Sequence, residues 1–367
     1  MPDGSTRLFR VAGTPPDDPP PTGTPKARLY GIGGRSRART TAELDLVKAG
    51  PGGFTVIDFQ WRALQPNRGA FDAAKAASLL NDVRWAADQG LNVHLRQMCG
   101  IYAPDWALAD AGSLTPWYSR DNESHTWLPL PRGPMRWTHP KAHAAYRDLQ
   151  LRLVDLLGGE PNVAVTTAAE PTTEFAEPCI KQYAYPGNVA TARAAGVTTA
   201  LDVEAFERTF ATHAAVWSPA GVATSCAYNN HQGISLTGSG MDSSPARTLA
   251  LMDKQYAILG KFAVWANNSL LDPDTEDPQV YTKMASSPPD VWKHFQTETT
   301  PKHKGAWRPG AKTSPARTFE KAITLGAHSV EFPSGGFDQM VVDGVTYWPA
   351  FTMAQAASFN TRFRAVV

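Results

Sequence analysis

The sequence predicts an α/β fold, a (β/α)8 barrel, and three observations lead there. Short β-branched or apolar runs alternate with longer helical patterns from Arg28 onward, as βα units do around a parallel sheet. Eight such units can be counted, whereas an open doubly wound sheet normally stops at about six strands. No GxGxxG follows the first run, so the phosphate loop of a dinucleotide-binding sheet is missing.

Each unit can be justified in turn. Residues 1–26 precede them as a Pro-rich tether, because AGTPPDDPPPTGTPK (12–26) is too dense in Pro, Gly and Asp for a helix or a central strand. The barrel domain is expected over residues 27–367. RLYGIGG (28–34) is the first strand and TTAELDLVKAG its helix, with Thr and Glu placed to cap the start and Gly the end. FTVIDFQW (54–61) pairs with FDAAKAASLLNDVRWAADQG. LNVHLRQM (91–98) meets its helix KAHAAYRDLQLRLVDLLGG only after a long loop, and long loops inside compact domains are usually functional. NVAVTTAAE (162–170) precedes LDVEAFERTFATHAAVW, and VATSCAYN (222–229) precedes SPARTLALMDKQYAILG. KFAVWANN (261–268), VWKHFQTE (291–298) and AHSVEFP (327–333), each with a following helical pattern, complete the eight. SPART opens helices at 244–248 and 314–318, where Ser before Pro makes a good cap and first-turn pair.

Composition removes several classes. The 35 basic and 34 acidic residues nearly cancel, with no basic run, so no nucleic-acid partner is expected. No apolar stretch is long enough to span a membrane, and MPDGSTRLFRVAG lacks the apolar segment of a signal peptide. The expected location is therefore cytoplasmic, or extracellular or virion-associated by another route. Cys99, Cys179 and Cys226 are widely spaced and read as buried reduced thiols. No metal is expected.

In such a barrel the active site lies at the C-terminal ends of the strands. The fourth ends in Ala-Ala-Glu170-Pro171 and the seventh in Phe-Gln-Thr-Glu298. A carboxylate there must be satisfied by something, because desolvating an unpaired charge is costly. Two on strands facing each other across the barrel favour chemistry over two separate structural ion pairs. Paired carboxylates are what glycosidic cleavage needs, one as acid and the other as nucleophile or base.

These positions carry a resemblance. With Glu170 in AAEP and Glu298 in FQTE, the chain resembles the clan A glycoside hydrolases, the superfamily of β-galactosidases, cellulases and mannanases. DFQWRALQPNRGAFD (58–72) is similar to the family's second-strand region, and YAPDWAL (102–108) to its loop after strand three. The resemblance spans residues 28–367 and implies a retaining glycosidase with Glu170 as acid/base and Glu298 as nucleophile. It implies no organic cofactor. The family usually has Asn before the acid/base Glu, to hold the sugar 2-hydroxyl, and this chain has Ala169. Glu174 and Glu177, just beyond, are rival acids.

The expected substrate-binding residues are Trp61, Arg96, Trp106, Tyr228, Asn229, Trp265, Asn267 and Glu331, at or near strand ends. Arg96 is placed to hydrogen-bond the nucleophile, and His294 shares the strand parity of Gln296 and Glu298. Trp117, Tyr118, Trp127 and Trp137 join Trp106 on the long loop and suit a wall of sugar subsites. The expected partner is a carbohydrate, with the aromatic loop favouring a polysaccharide. A second reading is a binding or adhesion module that has lost catalysis, joined through its tether to a larger assembly such as a phage tail or cell surface. A third is a barrel enzyme of different chemistry.

Overall fold

The computed structural model describes residues 20–35, 41–121, 124, 126–235, 240–272, 278–297, 315–332, 340–342, 345–347 and 352–366. Eight strands close into a parallel barrel. They are β1 (Gly31–Arg35), β2 (Phe54–Gln60), β3 (Asn92–Met98), β4 (Val163–Thr167), β5 (Ala223–Ala227), β6 (Ala263–Leu270), β7 (Trp292–Thr297) and β8 (Ser329–Phe332). Neighbours in sequence are neighbours in the ring, and β8 returns to pair with β1, Gly31 opposite Ser329 and Gly33 opposite Glu331.

A helix follows each strand: α1 (Thr41–Lys48), α2 (Ala73–Asp88), α3 (Pro140–Leu157), α4 (Thr199–Val216), α5 (Pro245–Leu259), α6 (Pro278–Ala285), α7 (Pro315–Thr324) and α8 (Met353–Arg364). Local chemistry sets their starts. Asp72 accepts from Lys75 N and Thr198 from Leu201 N. Ser244 before Pro245 caps α5, and Thr352 with Gln355 forms a capping box on α8. Ser314, the matching cap expected for α7, lies outside the described residues.

Strand parity divides the side chains into two layers. Inward residues fill the barrel in tiers. Leu29, Phe54, Val56, Val165, Ala223, Val264 and Trp292 close the lower end, and the Trp292 indole donates to Leu29 O at 2.7 Å. Gly33 leaves room for that plug, since a Cβ on it would lie 2.2 Å from the Phe54 ring. Outward residues such as Leu95, Phe295 and Val330 pack under the helices.

Two devices seal the ring. Pro25 is buried, and Lys26 donates from its backbone to Gly221 O and from Nζ to Gly158 O at 2.7 Å. At the other end of the chain Asn360 on α8 is fully buried. Its Oδ1 accepts from Ile32 N at 2.7 Å and its Nδ2 donates to Val47 O and Ala49 O. One amide side chain thus joins the last helix to the first βα unit, and satisfies backbone groups that would otherwise be buried unpaired. No helix among the described residues is long and apolar enough to cross a membrane.

Candidate active site

The mouth is built on the uppermost inward tier. Arg96 on β3 spans the barrel: Nη1 donates to Glu331 Oε2 on β8 at 2.8 Å and to Gln296 Oε1 on β7 at 2.9 Å. Nε and Nη2 donate to the two oxygens of Asp58 on β2 at 2.5 and 3.0 Å. Burial opposes the guanidinium charge, but Glu331 and Asp58 outweigh it and push its pKa above the ordinary arginine value. The side chains of Arg96 and Glu331 are 6% and 1% exposed while Asp58 retains 31%, so Asp58 is the member that meets solvent.

One tier deeper, His94 and His294 meet edge to face with ring centroids 5.0 Å apart. With Glu331 they form a group of metal-ligating side chains whose donor atoms lie within 4.8 Å of one another. Burial, then His294 and Arg96, hold His94 neutral far below the ordinary histidine pKa, against the opposing pull of Glu331.

Of the residues expected to bind substrate, Arg96 and Glu331 come together here. Four others do not face the mouth. Trp61 is fully buried between barrel and helices, bonded to Gln65 and edge-on to Trp106 and Tyr146. Tyr228 donates to Gln255 under α5, Asn267 donates to Tyr228 O, and Trp265 is fully buried in the same layer. The reason is parity: Ala227 and Ala266 take the inward positions, and Tyr228, Trp265 and Asn267 alternate outward. Asn229, one residue further, donates to Ser269 Oγ at the strand ends. Trp106 lies on the helix Asp105–Ala111, beside an open groove of about 490 Å³ that Arg68, Asp110, Lys141 and Asp148 also line.

Glu170 is 1% exposed. Its Oε2 lies 2.9 Å from His143 Nδ1 on α3 and 3.0 Å from the Thr209 hydroxyl on α4. Oε1 is buried with no hydrogen-bond partner among the described residues. Glu170 is therefore held from the helix side of the wall. Glu298 lies outside the described residues, two positions beyond the inward Gln296.

The loop after β4 is anchored from below. Buried Lys181 bonds Pro171 O, pairs with Asp202 at 3.1 Å and lies 4.3 Å from the centre of the Trp137 ring. Burial lowers the Lys181 pKa against the pull of Asp202, while Lys181 and His231 overcome burial and lower that of Asp202. Gly100 lets the loop after β3 dock here, since a Cβ on it would overlap Thr173 O. Above this anchor Glu174 bonds Ser119 of the hairpin Tyr118–Arg120/Trp127–Pro129, and burial raises its pKa.

The long-loop aromatics separate into two sets. Trp117 and Trp137 are fully buried and join Leu114, Tyr183 and Val189 in a small second core. Tyr118 and Trp127 stay half-buried against Tyr185, at 4.4 and 5.3 Å between ring centres. Tyr185 had no sequence signal, because it lies beyond the strand-four motif.

Two buried histidines make stability depend on pH. Burial holds His213 and His328 down to about 3, Lys293 and Arg28 adding to the effect at His328. The unfolded chain takes up these protons near the ordinary value of 6.5 and the folded chain refuses them until about 3. The contribution is thus complete above about pH 6.5 and is lost as pH falls through the window. Each histidine supplies a slope of up to about 1.4 kcal/mol per pH unit. The melting temperature followed by circular dichroism is expected to fall steadily from pH 6.5 to 4, and a flat profile would refute neutral burial.

No family model matches the chain, and no curated protein matches it in sequence. Its structure is similar to that of endo-glycoceramidase II from Rhodococcus sp., at 13% identity and TM-score 0.51 over 94% of this chain and 81% of that one. The same protein captured as a lactosyl-enzyme intermediate aligns at 14% identity and TM-score 0.50, over 93% and 81%. An exo-β-1,4-mannosidase from Opitutaceae bacterium strain TAV5 aligns at 14% identity and TM-score 0.45, over 83% and 52%. The likeness to the Rhodococcus protein is one of fold: a (β/α)8 barrel.

Proposed function

We propose that the chain is a retaining glycoside hydrolase acting on a poly- or oligosaccharide. The observation that carries this reading is the pair of carboxylates, Asp58 and Glu331, held around Arg96 at the C-terminal end of a closed barrel, with Glu170 and Glu174 following the end of the neighbouring β4. The half-exposed rings of Tyr118, Trp127 and Tyr185 beside Glu174 support a sugar platform. A fold-level analogy with a protein captured as a lactosyl-enzyme intermediate favours the retaining route.

In this reading Glu298 attacks the anomeric carbon while Glu170 gives its proton to the departing oxygen, and then Glu170 deprotonates water to release the sugar. His143 and Thr209 hold one oxygen of Glu170 on the helix side and the other oxygen is buried, so in this reading the side chain turns toward the mouth to reach the glycosidic oxygen. Arg96 offsets part of the negative charge of Asp58 and Glu331 on the floor. Neither carboxylate mechanism nor floor calls on an organic cofactor.

Incubation with a panel of plant and bacterial cell-wall polysaccharides is expected to release reducing ends over time. Proton NMR of the first product should show the anomer of the substrate. Saturable binding with no product would replace this reading with the adhesion module, and the opposite anomer would replace retention with inversion.

A further inference from the structure

We propose that His94, His294 and Glu331 bind one divalent transition-metal ion of the zinc type inside the barrel. The three side chains come from β3, β7 and β8, all are buried, and their donor atoms lie within 4.8 Å of one another.

The hydrogen bonds of the two histidines point to a ligand. Thr167 donates its hydroxyl proton to Leu95 O, so it accepts from His94 Nε2 at 3.0 Å. His94 Nε2 therefore carries the proton and Nδ1 presents a lone pair. Ser329 Oγ holds His294 Nδ1 at 2.9 Å and leaves Nε2. Those two remaining nitrogens are buried and have no hydrogen-bond partner among the described residues. A histidine whose far nitrogen is fixed by a neighbour while its near nitrogen is left over has the arrangement of a metal ligand and its supporting partner.

Glu331 supplies the third donor, with Oε2 at 3.9 Å from His294 Nε2. Arg96 bonds the same carboxylate, but Asp58 bonds Arg96 in turn. Two carboxylates against one guanidinium leave a net negative charge that a divalent cation would offset. Metal bonds of about 2.0–2.2 Å place tetrahedral donors about 3.3–3.6 Å apart, so donor atoms now within 4.8 Å of one another need to close in by at most about 1.2–1.5 Å. Two imidazoles and one carboxylate suit zinc, cobalt or iron, whereas magnesium and calcium prefer all-oxygen sites. Such an ion would cross-link three strands below the mouth, and the inference holds whether or not the barrel is a glycosidase.

The test is cobalt titration of the chelator-treated full-length protein, read by visible ligand-field absorption and melting temperature. The expected result is one Co²⁺ per chain, a rise in melting temperature with Co²⁺ or Zn²⁺, and none with Mg²⁺. His94→Gln and His294→Gln are each expected to weaken Co²⁺ binding beyond the roughly 10–100-fold typical of losing an outer partner. Absence of cobalt bands in the wild type overturns the site, as does undiminished binding in a variant whose near-ultraviolet dichroism matches the wild type. Should both variants fail to fold, X-ray absorption of the zinc-loaded wild type decides. Two imidazole nitrogens in the first shell are expected, and a shell without imidazole, or no retained zinc, overturns the proposal.

Discussion

Glu298→Gln is expected to leave a folded barrel whose glycoside turnover is down by about 10⁵-fold or more, the scale on which enzymes lose a covalent nucleophile. The amide keeps the size of the side chain but cannot attack the anomeric carbon, so kcat falls with little change in substrate binding. Glu170→Gln is a smaller and more selective lesion, about 10²–10⁴-fold. It bears on substrates with poor leaving groups, which need a proton, and spares aryl glycosides whose leaving group departs unaided. That selectivity also distinguishes the two acids on the loop after β4. If Glu174→Gln shows it and Glu170→Gln does not, the acid is the carboxyl bonded to Ser119, whose pKa burial already raises. Full activity in Glu298→Gln would sink the nucleophile assignment outright.

Arg96→Met carries the largest expected loss of stability. The substitution keeps an unbranched side chain inside the barrel and removes the cation between Asp58 and Glu331. Breaking one partner of a buried ionic group costs about 3–5 kcal/mol, because the remaining charge stays desolvated. Glu331 is the buried partner and bears most of it. The deficit should shrink as pH falls, since protonating Glu331 removes the stranded charge, and this distinguishes electrostatic loss from lost packing. Urea midpoints at pH 8 and pH 5 measure it: an equal deficit at both would mean the guanidinium stem, not its charge, was the stabilising element.

The barrel was legible because its code is local and repeated. Runs such as FTVIDFQ and NVHLRQM sit at strand positions, and caps such as Asp72 and Thr198 sit where helices begin. The mouth was legible only in part. Arg96 could be placed from its face on strand three and Glu331 from its position at the end of strand eight, and the structure shows them bonded. Trp61, Tyr228, Trp265 and Asn267 could not be told from substrate ligands, because an aromatic or amide near a strand end faces in or out according to a single residue of phase. The indoles of the long loop show the same ambiguity: Trp117 and Trp137 make a core that no periodicity announces, since it joins residues 114–137 to 183–205. The His94, His294 and Glu331 group was hidden for a related reason. Its members lie on three strands up to 237 positions apart, with no spacing motif to betray them.

The Asn360 clasp and the pairing of β8 with β1 also set a timetable for synthesis. Once β1 has left the ribosome, one of its edges must wait for Ser329–Phe332, nearly the whole chain later. At about 5–20 residues per second that wait lasts some tens of seconds. For that time the nascent sheet carries an open edge of the kind that recruits other chains. Yield in a heterologous host should therefore depend more on chaperone supply and growth temperature than on the stability of the finished ring.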